Sequence, residues 1–250
     1  MEWGLTVRFL RHKRVSPPSN IAPSYIVEPR LYGYVTLLNS DGEAPVAALR
    51  YHLGQDFEYD FVDGEYHCPA ARGISEIFGN NQPYYSYFDG SAGSAMKAVR
   101  DLYVYTNENG PFDAVMGFSL GAALAVMLLL HFDQLQAAGG QVPVSSPFKC
   151  AILLCGVLPY NLSGLLRGWK QFLHPRDPGN VIRIPTVHAW SPNDVDYARH
   201  SRLLMQMCDP ANRIDVAHCA GHGVPSRGEE LTKLARAICS TVSSVSEPEM

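Results

Sequence analysis

Pro111-Phe-Asp-Ala-Val-Met-Gly-Phe-Ser-Leu-Gly-Ala-Ala-Leu-Ala-Val-Met-Leu-Leu-Leu130 is the stretch whose reading decides the fold. Its apolar start, Ala114 to Met116, runs into the pentapeptide Gly117-Phe118-Ser119-Leu120-Gly121. The Ala, Leu, Val and Met residues that follow contain no Gly or Pro after Gly121, and they read as a buried helix. Strand, sharp turn with a serine at its apex, then helix is the arrangement of a nucleophile elbow. The glycines two residues either side of Ser119 remove bulk where strand and helix close together. An exposed Oγ at the positive end of a helix is the expected result, placed where an alkoxide and an oxyanion are stabilised. The bland alternative is a serine that merely caps a helix.

A serine hydroxyl is a weak nucleophile until a base takes its proton, and the base needs an orienting carboxylate. The order expected after an elbow is Ser, then Asp or Glu, then His. Asp194 lies in Trp190-Ser-Pro-Asn-Asp194, a turn directly after a strand-like run. His222 lies in Ala217-His-Cys-Ala-Gly-His-Gly-Val-Pro225, between a strand and the last helix, with Gly221 and Gly223 allowing close approach. Ser119, Asp194 and His222 are the candidate catalytic residues. Asp196 and His218 are their near competitors, Asp196 at the start of the next helix and His218 in or near the strand. His188 reads as a core or strand-end residue, and His131, His174 and His200 lack an evident partner. Cys155 and Ser163 are weaker candidates for the nucleophile, since neither has an elbow. No metal site is expected from the histidines, and no cofactor is called for.

Length and composition bound the rest. The 250 residues suit one substantial α/β domain. A hydrophobic share of 46% against a charged share of 18% is that of a soluble globular protein with a good core. A net charge of −4 and a pI near 6.1 argue against nucleic acid as a partner. The longest apolar run, Ala122 to Leu130, reads as a core helix and no membrane span is expected. None of the cysteines at 68, 150, 155, 208, 219 and 239 forms a C-x-x-C pair. With no secretory leader legible, reduced thiols and a cytoplasmic location are expected.

Around the elbow, strands and helices alternate. Residues 1–29 read as an N-terminal extension, its basic start carrying a flavour of a presequence that Glu2 and its short length count against. Residues 30–242 form the domain and 243–250 a polar tail that frays. Arg30 to Leu38 is the expected first central strand, and Asn39-Ser40-Asp41-Gly42 its turn. A helix is expected over 45–54, a strand over 57–62, and an irregular segment over 63–93 whose aromatics either line a pocket or pack beneath a loop. Helix 94–107, the elbow, strand 149–157, a second irregular region to 180, strand 181–190, helix 197–208, strand 211–218 and helix 228–240 complete the order. This pattern predicts an α/β fold with a mainly parallel central sheet covered on both faces, its reactive groups at the C-terminal strand ends.

Gly117-Phe-Ser-Leu-Gly-Ala122, the Ser-Pro-Asn-Asp194 turn, the Ala-Gly-His-Gly-Val-Pro225 loop and the strand end Phe-Val-Asp-Gly64 together resemble the fungal family of serine hydrolases. That family includes stand-alone thioesterases that release polyketides from their synthases, and human ovarian-cancer-associated protein 2. The resemblance spans roughly residues 31–240 and implies an α/β-hydrolase fold with Ser119, Asp194 and His222 as the triad. It also implies esterase or thioesterase activity in secondary metabolism, on a small-molecule ester or an acyl chain held by a synthase carrier domain. In the family the first strand ends in a His-Gly-like turn that helps bind the oxyanion, whereas Leu38 to Gly42 stands at that position here. One oxyanion donor is then the amide of Leu120, and the second falls to Asn39 or Ser40. Two other readings stay open: an acyltransferase with the same triad, and a hydrolase-like scaffold that binds without turnover.

Overall fold

The computed structural model describes residues 6–12, 47–54, 57–62, 64–68, 84–137, 148–177 and 181–246. In chain order its elements begin with β1 (Thr6–His12), α1 (Ala47–Leu53), β2 (Phe57–Val62), β3 (Tyr66–Cys68), β4 (Tyr84–Ser86) and α2 (Ala92–Asn109). The elbow supplies β5 (Ala114–Phe118) and α3 (Leu120–Ala137). Then follow β6 (Cys150–Leu154), α4 (Leu162–Leu166), β7 (Thr186–Trp190), α5 (Ala198–Met205), β8 (Arg213–Ala217) and α6 (Gly228–Ser246).

The main sheet runs β2-β1-β5-β6-β7-β8. β5 to β8 pair in parallel. β1 is antiparallel to both of its neighbours, so β2 points the same way as β5. Two apolar layers cover the faces, and the strands feed them alternately, as a period of two requires. Val115, Ala151 and Leu153 join the layer under α2, α3 and α4, while Ala114, Met116, Cys150, Ile152 and Leu154 join the layer under α1 and α6. This is why β5 and β6 read as unbroken apolar runs rather than alternating ones. With helices on both faces of a mainly parallel sheet, the chain has the α/β-hydrolase architecture.

α3 is apolar all round because it lies between the sheet and α2. By length and composition it could cross a membrane, yet every residue from Leu120 to Leu130 is buried in this core. α2 starts where the Ser91 hydroxyl accepts the Ser94 N–H at 3.1 Å, so the helix expected over 94–107 begins two residues earlier, at Ala92, and runs to Asn109.

Several expectations change. Thr6–His12, assigned from sequence to the extension 1–29, is a strand of the main sheet, with Thr6 opposite Phe118. The expected strand 30–38 lies outside the described residues. The segment 63–93 contains a two-stranded sheet in which β3 pairs with β4, strands too short to show a period. Tyr87 and Phe88 of that segment are core residues, so packing accounts for them rather than a pocket. The strand expected over 181–190 begins only at Thr186, and Ile182 makes an isolated bridge with Cys208. Pro185, which has no N–H to give a ladder, separates the two. α6 continues to Ser246, where a fraying tail was expected from 243, because Val242 and Val245 still face the core.

Candidate active site

Ser119 turns the chain from β5 into α3 at φ +55°, a left-handed conformation that a serine adopts only under constraint. The constraint is visible on both sides. The Ser119 N–H donates to the Leu154 carbonyl at 2.8 Å, and the Ser119 carbonyl accepts from Val157 at 3.2 Å. Gly117 is obligatory, since a Cβ there would collide with the backbone carbonyl of Gly121. Backbone cannot step aside as a side-chain tip can, so Gly117→Ala is expected to destabilise the fold by about 3 kcal/mol. A lowered midpoint in urea unfolding checks this, and an unchanged midpoint would show that the turn is not this tight.

Each parallel strand from β5 onward delivers one residue to the same place. Ser119 directly follows β5 and Cys155 directly follows β6, the turn after β7 carries Asp194, and the loop after β8 carries His222. Asp194 is buried, and both of its oxygens are engaged. Oδ1 accepts the Tyr197 N–H at 3.0 Å, and Oδ2 lies 2.6 Å from His222 Nδ1. A carboxylate accepts but cannot donate, so Nδ1 carries the ring proton. Nε2 is thereby left as an acceptor, 2.9 Å from Ser119 Oγ. The His222 ring is held between Phe118 and Tyr197, at centroid distances of 5.3 and 4.7 Å. Ser119 itself is fully buried, unlike the exposed hydroxyl expected at an elbow. In such a dry setting charge–dipole interactions are stronger than in water.

The competing side chains are occupied elsewhere. Asp196 is exposed in the turn before α5, not in the helix. His218 accepts the Ala220 N–H on Nδ1 at 3.2 Å, and its Nε2 faces the Cys155 sulfur at 3.7 Å. His188 is buried within β7, its Nε2 3.2 Å from the Thr186 hydroxyl, and burial pushes its pKa down to about 3. His200 accepts the Leu158 N–H at 3.4 Å. His131 packs edge-on to Tyr103, and His174 caps a short turn through Arg176. Ser163 is exposed in α4.

Leu120 is the first residue of α3, so its N–H has no partner within the helix and is available to an oxyanion. Asn39 and Ser40 lie outside the described residues. Among the described residues, Cys155 Sγ, an Asp194 oxygen and a His222 nitrogen lie within 4.8 Å of one another, close enough to be considered as metal ligands. The Asp194–His222 hydrogen bond, closed at 2.6 Å, leaves no room for an ion between those two donors. Burial, and then the charge of Asp194, push the Cys155 thiol up to about 12, which also removes it as a nucleophile.

Sequence reasoning missed the contribution of Tyr197, which both holds Asp194 through its amide and covers the His222 ring. Its place three residues after the carboxylate, at the start of a helix, was the available signal.

Comparison with known proteins gives a family whose description is serine hydrolase (FSH1), matching residues 42–234 and so beginning just after Asn39. An esterase, FPY3, of Fusarium mangiferae is 36% identical over 200 residues, covering 78% of this chain and 88% of its own. The hydrolase FUB4 of Fusarium oxysporum f. sp. lycopersici is 26% identical over 272 residues, covering 86% of this chain and 98% of its own. A dihydromonacolin L-[lovastatin nonaketide synthase] thioesterase of Aspergillus terreus is 26% identical over 225 residues, covering 79% and 86% respectively.

Proposed function

Because the chain belongs to the serine hydrolase family FSH1, we propose that it cleaves a carboxylic ester or acyl thioester through an acyl-enzyme on Ser119. The observation that carries the proposal is the unbroken line Asp194 Oδ2, His222 Nδ1–H, His222 Nε2, Ser119 Oγ, with steps of 2.6 and 2.9 Å. His222 Nε2 takes the Ser119 proton as Oγ attacks the carbonyl carbon. The Leu120 amide and the positive end of α3 stabilise the oxyanion, with Asn39 proposed as the second donor. Nε2 then passes the proton to the departing alkoxide or thiolate. Water loses a proton to the same nitrogen in the second half, which returns Ser119 and a free acid. Asp194 keeps the proton on Nδ1 and stabilises the imidazolium that forms in each half.

The substrate proposed is a bulky, largely apolar acyl group, such as a polyketide chain released from a synthase carrier domain. The Aspergillus thioesterase relative supports this, since its name assigns it to a polyketide synthase. A run of rings leading away from His222 supports it too. The ring centroids of Tyr197 and His200 lie 5.8 Å apart and those of His200 and Phe172 5.2 Å apart, both edge-on, and Phe172 stacks on Tyr160 at a centroid distance of 5.0 Å. Phe172, at the outer end of that run, is 41% exposed and so offers an apolar ring to an incoming chain.

Product analysis with an acetyl ester and a long-chain acyl thioester tests the function. Free acid from both is expected, and acyl transfer to an added alcohol in preference to water would favour the acyltransferase reading. In the same assay Phe172→Ala is expected to lower kcat/KM for the long acyl chain roughly tenfold, as loss of one apolar contact surface does. The acetyl ester should be unaffected, and an equal fall for both substrates would remove Phe172 from the acyl wall.

A further inference from the structure

Of the four strand-end residues at the site, Cys155 has no part in the chemistry just proposed. We infer that Cys155 is a positioning residue, whose thiol fastens the loop carrying His222 to the end of β6 and so holds Nε2 within reach of Ser119. The inference rests on the triad reading above.

Cys155 and Ser119 are the two non-glycine residues with positive φ among the described residues, at +45° and +55°. Glycine would adopt that conformation without strain, so the side chain at 155 has to be worth its cost. The Cys155 N–H donates to the Ala189 carbonyl at 2.7 Å, which ties the strained turn to the next strand. The turn aims the side chain into the 218–223 loop. Its S–H donates to the Gly223 carbonyl at 3.2 Å, and the Gly221 carbonyl lies at 3.9 Å. These two carbonyls bracket His222. At the other end of the loop, Ala220 donates to His218 Nδ1. The neutral ring that burial favours therefore carries its proton on Nε2, which is aimed at the same sulfur at 3.7 Å. One thiol thus receives from the start of the loop and donates to its end. Gly221, at φ +61°, shows that the loop between these points is sharply bent and has no regular structure to hold it. A thiol so deeply buried stays protonated, and so stays a donor.

The test compares Cys155→Ala, Cys155→Gly and Cys155→Ser with the parent for kcat and KM on an aryl ester, fluorophosphonate labelling rate and urea midpoint. The Ala and Gly variants are expected to lose roughly ten- to a hundredfold in kcat and labelling rate with KM little changed, the cost of a misplaced base. The Ser variant, whose hydroxyl can still donate to Gly223, is expected to recover most of that rate. The Gly variant relieves the positive φ, so its urea midpoint should fall less than that of Ala while its kcat stays as low. Parental kcat in the Ala and Gly variants, or rates that fall only in step with the midpoint, would overturn the inference. So would a Ser variant as slow as Ala. An inert parent would sink the triad reading as well.

Discussion

Ser119→Ala is expected to lower kcat about a millionfold, the scale on which removing a triad nucleophile acts. The variant should also fail to take up a fluorophosphonate probe that labels the parent. Its fold should be intact. Alanine at φ +55° is strained much as serine is, and the backbone bonds to Leu154 and Val157 need no side chain. Matching circular dichroism spectra, with labelling lost, would therefore place the defect in the hydroxyl alone. Labelling that persisted in the variant would point to another nucleophile and dissolve the mechanism. Cys155 is a poor substitute, because its thiol is buried and held protonated.

Asp194→Asn separates the chemistry from the architecture more sharply still. An asparagine keeps a carbonyl oxygen that can accept the Tyr197 N–H, so the start of α5 should hold. Its amide group donates where the carboxylate accepted. Nδ1 must then be the acceptor, the ring proton moves to Nε2, and Nε2 can no longer receive the proton of Ser119. A fall of about 10⁴ in kcat is expected from the wrong tautomer alone. The urea midpoint should shift little. Steady-state kinetics beside an unfolding curve checks both halves, and a variant within tenfold of the parent would show that Asp194 does not set the tautomer.

The elbow, the parallel strands and the meeting of residues 119, 194 and 222 were open to reading because each has a local signature. Glycines flank a serine, unbroken apolar runs feed two covered faces, and glycines again flank a histidine after a strand. What escaped the reading depends on neighbours distant in sequence. Thr6–His12 mixes basic and apolar residues and becomes a strand only through pairing with β2 and β5. β3 and β4 are three residues each, below the length at which alternation speaks. Cys155 was legible as the end of a strand, but its role hangs on carbonyls 66 and 68 residues further along. The burial of Tyr87 and Phe88 under α2 was likewise a matter of packing, which composition leaves undecided.

The hydrogen bond between Ser119 and His222 joins residues 103 apart in the chain. During synthesis Ser119 therefore leaves the ribosome long before His222 exists. At cellular elongation rates that interval is on the order of 5–20 s. The β8 strand and the loop behind it must emerge and dock before Nε2 can reach Oγ. A nascent or prematurely terminated chain thus carries the whole elbow with no means to activate it. On the proposed chemistry, acyl-group cleavage begins only when the loop carrying His222 has docked, so probe labelling of Ser119 is expected to double as a reporter of completed folding.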